Sequence, residues 1–270
     1  MSNVDKSMAV RVVRRGARVL RSPFRRACES YLGVITAVAT DKPVLALTFD
    51  DGPHHEYTPA LLEMLAKYRA RATFFMIGEL AEQHPEVVRA AARAGHTIAN
   101  HSWNHLSFPL ITARARYEQL RRCEEALSPY GARLFRPPYC HQTAGSRWHA
   151  RRAGYDVVGF SAHAEDWLER PMAWMCERLV RQARSGAIVI LHDNIYRSVL
   201  PAARHDRKPM LAALDRALEQ LQENFVFVTI PELLRTGRPI RQQWYRRGLA
   251  DAQPALERHL MEQRRPEEAR

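Results

Sequence analysis

The chain has 270 residues, 46% of them hydrophobic, enough for one large α/β domain or two small ones with a full core. No run approaches the ~18 to 20 apolar residues of a membrane span. Its four cysteines, Cys28, Cys123, Cys140 and Cys176, lack CxxC spacing, which argues against a zinc finger or a disulfide scaffold and suits a reducing compartment.

The net charge of +12 is unevenly placed, because residues 1 to 26 carry Lys6 and seven arginines against Asp5 alone. Such asymmetry points to a polyanionic surface, nucleic acid or anionic lipid. The N-terminus has no apolar core or small-residue cleavage site of a secretory signal. It does have helical periodicity: Val10, Val13, Ala17, Leu20 and Phe24 line one face and arginines fill the rest, up to Pro23. A basic amphipathic helix of this kind can lie on an anionic membrane. It can equally dock on the domain with its arginines solvated, or serve as a presequence. No nucleic acid is expected, since no binding motif or interleaved aromatic residue accompanies the charge.

From Pro43 a regular alternation begins. Strands are expected over 44–49, 72–77, 97–100, 134–136, 155–160, 187–191 and 225–230. Helices are expected over 58–68, 85–94, 112–127, 144–153, 171–184 and 208–223, with a short one from Pro231. Strands separated by single helices pair in parallel, so the pattern predicts a barrel close to the eight-fold (β/α) form or a doubly wound open sheet. The expected organisation is a basic N-terminal segment over 1–40, a catalytic domain over 41–236 and a charged tail over 237–270.

In parallel α/β folds chemistry collects at the carboxyl ends of the strands. The first strand ends in Asp50-Asp51-Gly52-Pro53. Neighbouring strand residues face opposite ways, so the two carboxylates cannot both continue a buried strand. At a sheet rim one can bind a metal while the other handles a proton. The third strand leads into His101-Ser102-Trp103-Asn104-His105, the fourth into Arg136-Pro137-Pro138-Tyr139, the fifth into His163, Asp166 and Trp167, and the sixth into His192-Asp193. His101 and His105 share a face if their segment turns helically. Two histidines and a carboxylate make a three-ligand site with a position left for water, the layout of a catalytic metal.

Taken in this order, the motifs TFDDGP, HSxxH, RPPY, DW and LHD resemble the polysaccharide deacetylase family, the NodB-homology or carbohydrate esterase family 4 domain, over roughly residues 44–234. The resemblance implies a distorted, TIM-barrel-like (β/α)7 barrel of parallel strands. It implies a divalent metal, zinc or alternatively cobalt or another ion, on Asp51, His101 and His105. Asp50 is then the general base, His192 the general acid, Arg136 the residue orienting Asp50, and Asp166 the partner of His192. Pro138, Tyr139 and Trp167 contact substrate, with the Tyr139 N–H as an oxyanion donor. Two positions depart from the family pattern: His163 stands where an Asp is frequent, and Cys140 replaces the usual Gly.

The implied reaction is hydrolytic removal of an N-acetyl or small N-acyl group from an amino sugar. Alternatives are a deformylase or O-deacetylase acting on a lipid-linked sugar and, from another class, an inactive carbohydrate-binding barrel. The expected partners are an amino-sugar glycan or lipid-linked sugar and, through the basic segment, an anionic membrane. With no export signal in the sequence, the expected location is the cytoplasm, at the inner face of the membrane.

Overall fold

A computed structural model of the protein describes residues 31–196 and 205–242. The amphipathic segment over residues 1 to 26, Cys28 and most of the charged tail lie outside the described residues.

The described residues form ten strands and eight α-helices. The strands are β1 (Val34–Ala39), β2 (Val44–Asp50), β3 (Ala72–Met76), β4 (Thr97–Asn100), β5 (Gly131–Phe135), β6 (Asp156–Val157), β7 (Ala162–His163), β8 (Ile188–His192), β9 (Val226–Phe227) and β10 (Arg238–Gln242). The helices are α1 (Tyr57–Lys67), α2 (Gly78–Gln83), α3 (Pro85–Arg93), α4 (Ala113–Leu127), α5 (Ala144–Arg152), α6 (Met172–Gln182), α7 (Lys208–Leu221) and α8 (Ile230–Leu234). The principal sheet is parallel, in the order β6-β5-β4-β3-β2-β8-β7, with β9 also on β2.

The strand period of two sorts β2 into two faces. Leu45, Leu47 and Phe49 pack outward in one cluster with Leu61 and Leu65 of α1 and Leu214 and Leu218 of α7. Ala46 packs inward with Ile35, Phe75, Ile188 and Ile190. The sheet is thus covered by helices outside and filled by side chains inside, the distorted (β/α)7 barrel of the expected class.

The expected fifth strand is the main departure within the sheet. Only β6 falls within it; β7 starts two residues beyond its expected end, and the two, consecutive in sequence, lie at opposite ends of the strand order. The intervening residues cross the seam of the curled sheet without a helix. That seam is bridged by β1: Ile35 pairs with Val158 on one side and Ala37 with Ala187 on the other. Two backbone bonds reinforce it, Gly159 N–H to the Ile35 carbonyl at 2.8 Å and Val38 N–H to the Gly186 carbonyl at 2.9 Å. β1 also pairs antiparallel with β10. The boundaries expected at residues 40 and 237 therefore leave both of these strands outside the catalytic domain, whereas the structure uses both. The last expected strand is also shorter, because a Thr229–Glu232 capping box starts α8 at Ile230.

Candidate active site

Inward parity continues up β2 from Ala46 through Thr48 to Asp50, and up β8 from Ile188 through Ile190 to His192. In register, Asp50 lies opposite His192. Both side chains are thereby delivered to the same end of the barrel interior by strand geometry alone. Asp50 is buried and its Oδ1 accepts from Arg136 Nη1 at 2.6 Å. The guanidinium has no exposed surface. It also donates to Thr48 Oγ1 and to the Gly159 carbonyl, each at 2.8 Å, and lies over the Phe75 ring at 4.2 Å. A buried carboxylate needs such a permanent cation, and the extra bonds fix the guanidinium's plane.

Asp51 leaves the strand through a left-handed backbone, φ 71°, a conformation Asp tolerates better than most residues. The turn aims its carboxylate sideways at the β4 loop. Asp51 Oδ1 lies 3.2 Å from His101 Nε2 and 3.1 Å from His105 Nε2, while Oδ2 accepts from the Tyr196 N–H at 3.0 Å. Among the described residues this buried trio is the group whose donor atoms converge as metal ligands do.

The two histidines meet without a helix. Ser102 and His105 both have positive φ, 71° and 62°, so the segment is an irregular loop rather than the helical turn that the spacing suggests. Gln119 Oε1 pins it by accepting from the N–H groups of Trp103 and Asn104, each at 3.1 Å.

The chemistry of this donor set fits a cation. His101 Nδ1 lies 2.8 Å from the Arg136 carbonyl. A carbonyl only accepts, so Nδ1 carries a proton, and Nε2 is the ring atom turned to the Asp51 carboxylate. Metal-bound histidines are oriented in this way, with the other ring nitrogen donating to a carbonyl. One carboxylate oxygen facing two imidazole nitrogens needs positive charge between them. Burial alone would raise the Asp51 carboxyl, but His105, His101 and the more distant His192 hold it well below the usual carboxylate range. Burial lowers the His105 imidazole below its ordinary value, despite the opposing pull of Asp51.

Across the rim, His192 Nδ1 lies 3.1 Å from Asp166 Oδ1, and Asp166 Oδ2 accepts from the His192 N–H at 2.8 Å. Burial favours the neutral ring, but Asp166, with Asp51 and Asp50 farther off, raises the imidazole above its ordinary value. Asp166 itself is held low: burial would raise it, but His192 and Arg207 outweigh that.

The expected substrate-facing residues surround these groups. The Tyr139 ring lies 4.4 Å from the His105 ring, after the buried Pro138, and Trp167 meets His192 edge-on at 5.5 Å. Of the two departures from the family pattern, His163 stacks on Trp167 at 5.6 Å with Arg178 Nη2 3.2 Å from its Nε2. Cys140 is buried at φ 53°.

Two residues at the site, Arg207 and Asn194, carry no signal in the sequence reading. Arg207, fully buried, bonds to both Asp166 and His192. Asn194 Nδ2 donates to the Asp51 carbonyl at 3.2 Å. Asp193 is buried against Gly52, where an added Cβ would come within 2.4 Å of its carboxylate. Burial pushes its carboxyl up to about 7, partly offset by a bond from Thr58 Oγ1. Gly52 is therefore needed for close approach, which its place in the DDGP motif foreshadowed.

Comparison with known proteins agrees with this geometry. The family model described as polysaccharide deacetylase matches residues 37–158. A peptidoglycan-N-acetylglucosamine deacetylase from Bacillus cereus is 34% identical over 203 residues, 73% of this chain and 91% of that protein. A chitooligosaccharide deacetylase from Sinorhizobium fredii is 30% identical over 211 residues, 75% of this chain and 97% of that protein. Among solved structures, a family 4 carbohydrate esterase from Streptomyces lividans in complex with acetate superposes with a TM-score of 0.63 at 29% identity, covering 75% of this chain and 98% of that one. The chain belongs to the polysaccharide deacetylase family.

Proposed function

We propose that the protein is a metal-dependent hydrolase that removes an N-acetyl group from an amino sugar of a glycan or glycan precursor. The observation that carries this reading is the convergence of Asp51, His101 and His105 on one buried point, between the Arg136-bound Asp50 and the Asp166-bound His192. The relatives named for peptidoglycan N-acetylglucosamine and chitooligosaccharides support the substrate class.

Asp51, His101 and His105 would hold a divalent ion, and zinc suits a carboxylate with two imidazoles. The ion's contribution when bound is to polarise the amide carbonyl and make water acidic enough to attack near neutral pH. The remaining steps belong to the chain. Asp50, aimed by its bond from Arg136, takes the water's proton. Tyr139 stands over His105 where the acyl group would enter, and Pro138 and Trp167 wall the same end. His192 gives a proton to the departing amine, which is a poor leaving group without one. Asp166 beside it raises the imidazole's proton affinity above its ordinary value, the direction a proton donor needs.

The functional assignment is tested by incubating the full chain with N-acetylated, N-formylated and O-acetylated sugars, free and lipid-linked, and measuring amine and acid release. Acetate and free amine from N-acetylated oligosaccharides are expected. Release confined to the O-acetyl arm would contradict the assignment.

The basic segment supports placement at the inner face of an anionic membrane, where a lipid-linked substrate would be at hand. Each Lys or Arg near such a surface contributes ~1 kcal/mol.

A further inference from the structure

Arg207 lies outside every motif. It occupies the N-cap of α7, fifteen residues beyond His192, yet its side chain is fully buried and reaches back to the rim. Nη2 donates to Asp166 Oδ2 at 2.5 Å, Nη1 to the Asp166 carbonyl at 2.9 Å, and Nε to the His192 carbonyl at 3.0 Å. The planar fork thus ties the end of β8 to the loop after β7 at three points. The two Asp166 oxygens divide their work. Oδ1 lies nearer the imidazole Nδ1, at 3.1 Å against 3.4 Å for Oδ2, and Oδ2 takes the guanidinium together with the His192 N–H.

This division matters because an imidazole that donates its proton in each turnover leaves Asp166 facing a neutral ring. A buried carboxylate without a compensating charge is costly. Asp166 would then either turn away or take up a proton itself, and the ring would lose its orientation. A guanidinium stays charged throughout, so Asp166 remains ionised and in place whichever form His192 is in. Arg136 plays the same part for Asp50, with one Nη bound to the carboxylate and the other to a backbone carbonyl. Two of the site's buried carboxylates, Asp50 and Asp166, thus each have their own arginine.

We propose that Arg207 is a positioning residue: it fixes Asp166 and, through Asp166, holds His192 Nδ1 so that Nε2 stays aimed as the proton donor. This rests on the assignment of His192 under Proposed function.

Three variants test it in the metal-loaded full chain: Arg207→Gln, Arg207→Lys and Asp166→Asn, with each Arg207 change also combined with Asp166→Asn. Arg207→Gln should lower kcat by roughly 10²-fold, the scale of losing an acid catalyst, with KM little changed and bound metal retained. Arg207→Lys, which keeps the charge but not the fork, should recover part of the loss. In the Asp166→Asn background neither change should cost anything further, because a residue acting through another is silent once that one is gone. Losses that multiply in the double variants, or a wild-type kcat in Arg207→Gln, would overturn the proposal. If Arg207→Gln does not fold, Arg207→Lys completes the same cycle.

A readout without turnover separates this from the functional assignment. The downfield NMR resonance of His192 Nδ1–H should be present in the wild type and lost or shifted in Arg207→Gln. If the wild type releases no acyl group from any substrate, the assignment fails. An unchanged resonance in Arg207→Gln overturns the positioning role in either case.

Discussion

At the scale of single residues, metal ligands and proton carriers respond differently to substitution. His105→Ala should lose bound metal and activity together, read by metal analysis and by turnover. A variant that keeps stoichiometric metal and full rate would contradict the ligand set. Asp50→Asn should keep the metal and lose on the order of 10²-fold or more in kcat, as expected for a general base. Metal loss in that variant would mean that the two aspartates share or exchange roles. His192 is the proposed acid, and its folded-state proton affinity is raised above the ordinary imidazole value. The rate should therefore hold as pH rises through that ordinary value and fall only above it, where the imidazolium is lost. Asp166→Asn removes the carboxylate that favours the cation, so the alkaline limb should move to lower pH. A limb that moves upward or stays put would place the proton donor elsewhere.

Much of this site was legible in the sequence for a physical reason. Strand parity and the strand-end rule deliver Asp50 and His192 without reference to the rest of the chain, and the adjacent carboxylates force a turn at Asp51. The spacing of His101 and His105 marked them as a pair but misstated how they meet, because two left-handed residues do the work of a helical turn. Arg207 was illegible: it follows no strand, and nothing local marks a solitary arginine in Asp206-Arg207-Lys208 as buried.

At the scale of elements, the helices were largely readable from apolar periodicity and from Thr or Pro at their starts. The seam of the barrel was not. β1 pairs with residues some two hundred positions away, which no window of sequence records. β10 reads as charged tail because Arg238-Pro239-Ile240-Arg241-Gln242 holds a single aliphatic side chain and a proline, tolerable only on an edge strand. The seam makes its own prediction. Gly186 has φ +77°, and an added Cβ would stand 1.8 Å from the Val38 carbonyl oxygen. Gly154 has φ +87° with nothing within 4 Å. Gly154→Ala should cost only the left-handed backbone penalty, about 1 to 2 kcal/mol. Gly186→Ala should cost clearly more, because it also forces β1 away from β8. Chemical denaturation of the two variants measures the difference, and equal losses would show that the β1 contact contributes nothing.

At the scale of the whole molecule, charge and catalysis are separable. The barrel rim accounts for the reaction, while much of the net positive charge lies in residues 1 to 26. Co-sedimentation with vesicles should require both that segment and anionic lipid, and should weaken as salt rises. Removing residues 1 to 26 should abolish binding while leaving turnover on a water-soluble oligosaccharide intact. Failure of the full chain to bind anionic vesicles at low salt would favour a soluble substrate and a docked arm.

The central claim is that one divalent ion on Asp51, His101 and His105 makes this barrel an N-deacetylase. Titrating metal-stripped protein with zinc or cobalt, while following acetate release from an N-acetylated oligosaccharide, tests it most directly. The rate should rise from near zero and break at one equivalent, and His105→Ala should show no such rise. Full activity in the stripped protein, or the same break in His105→Ala, would contradict it.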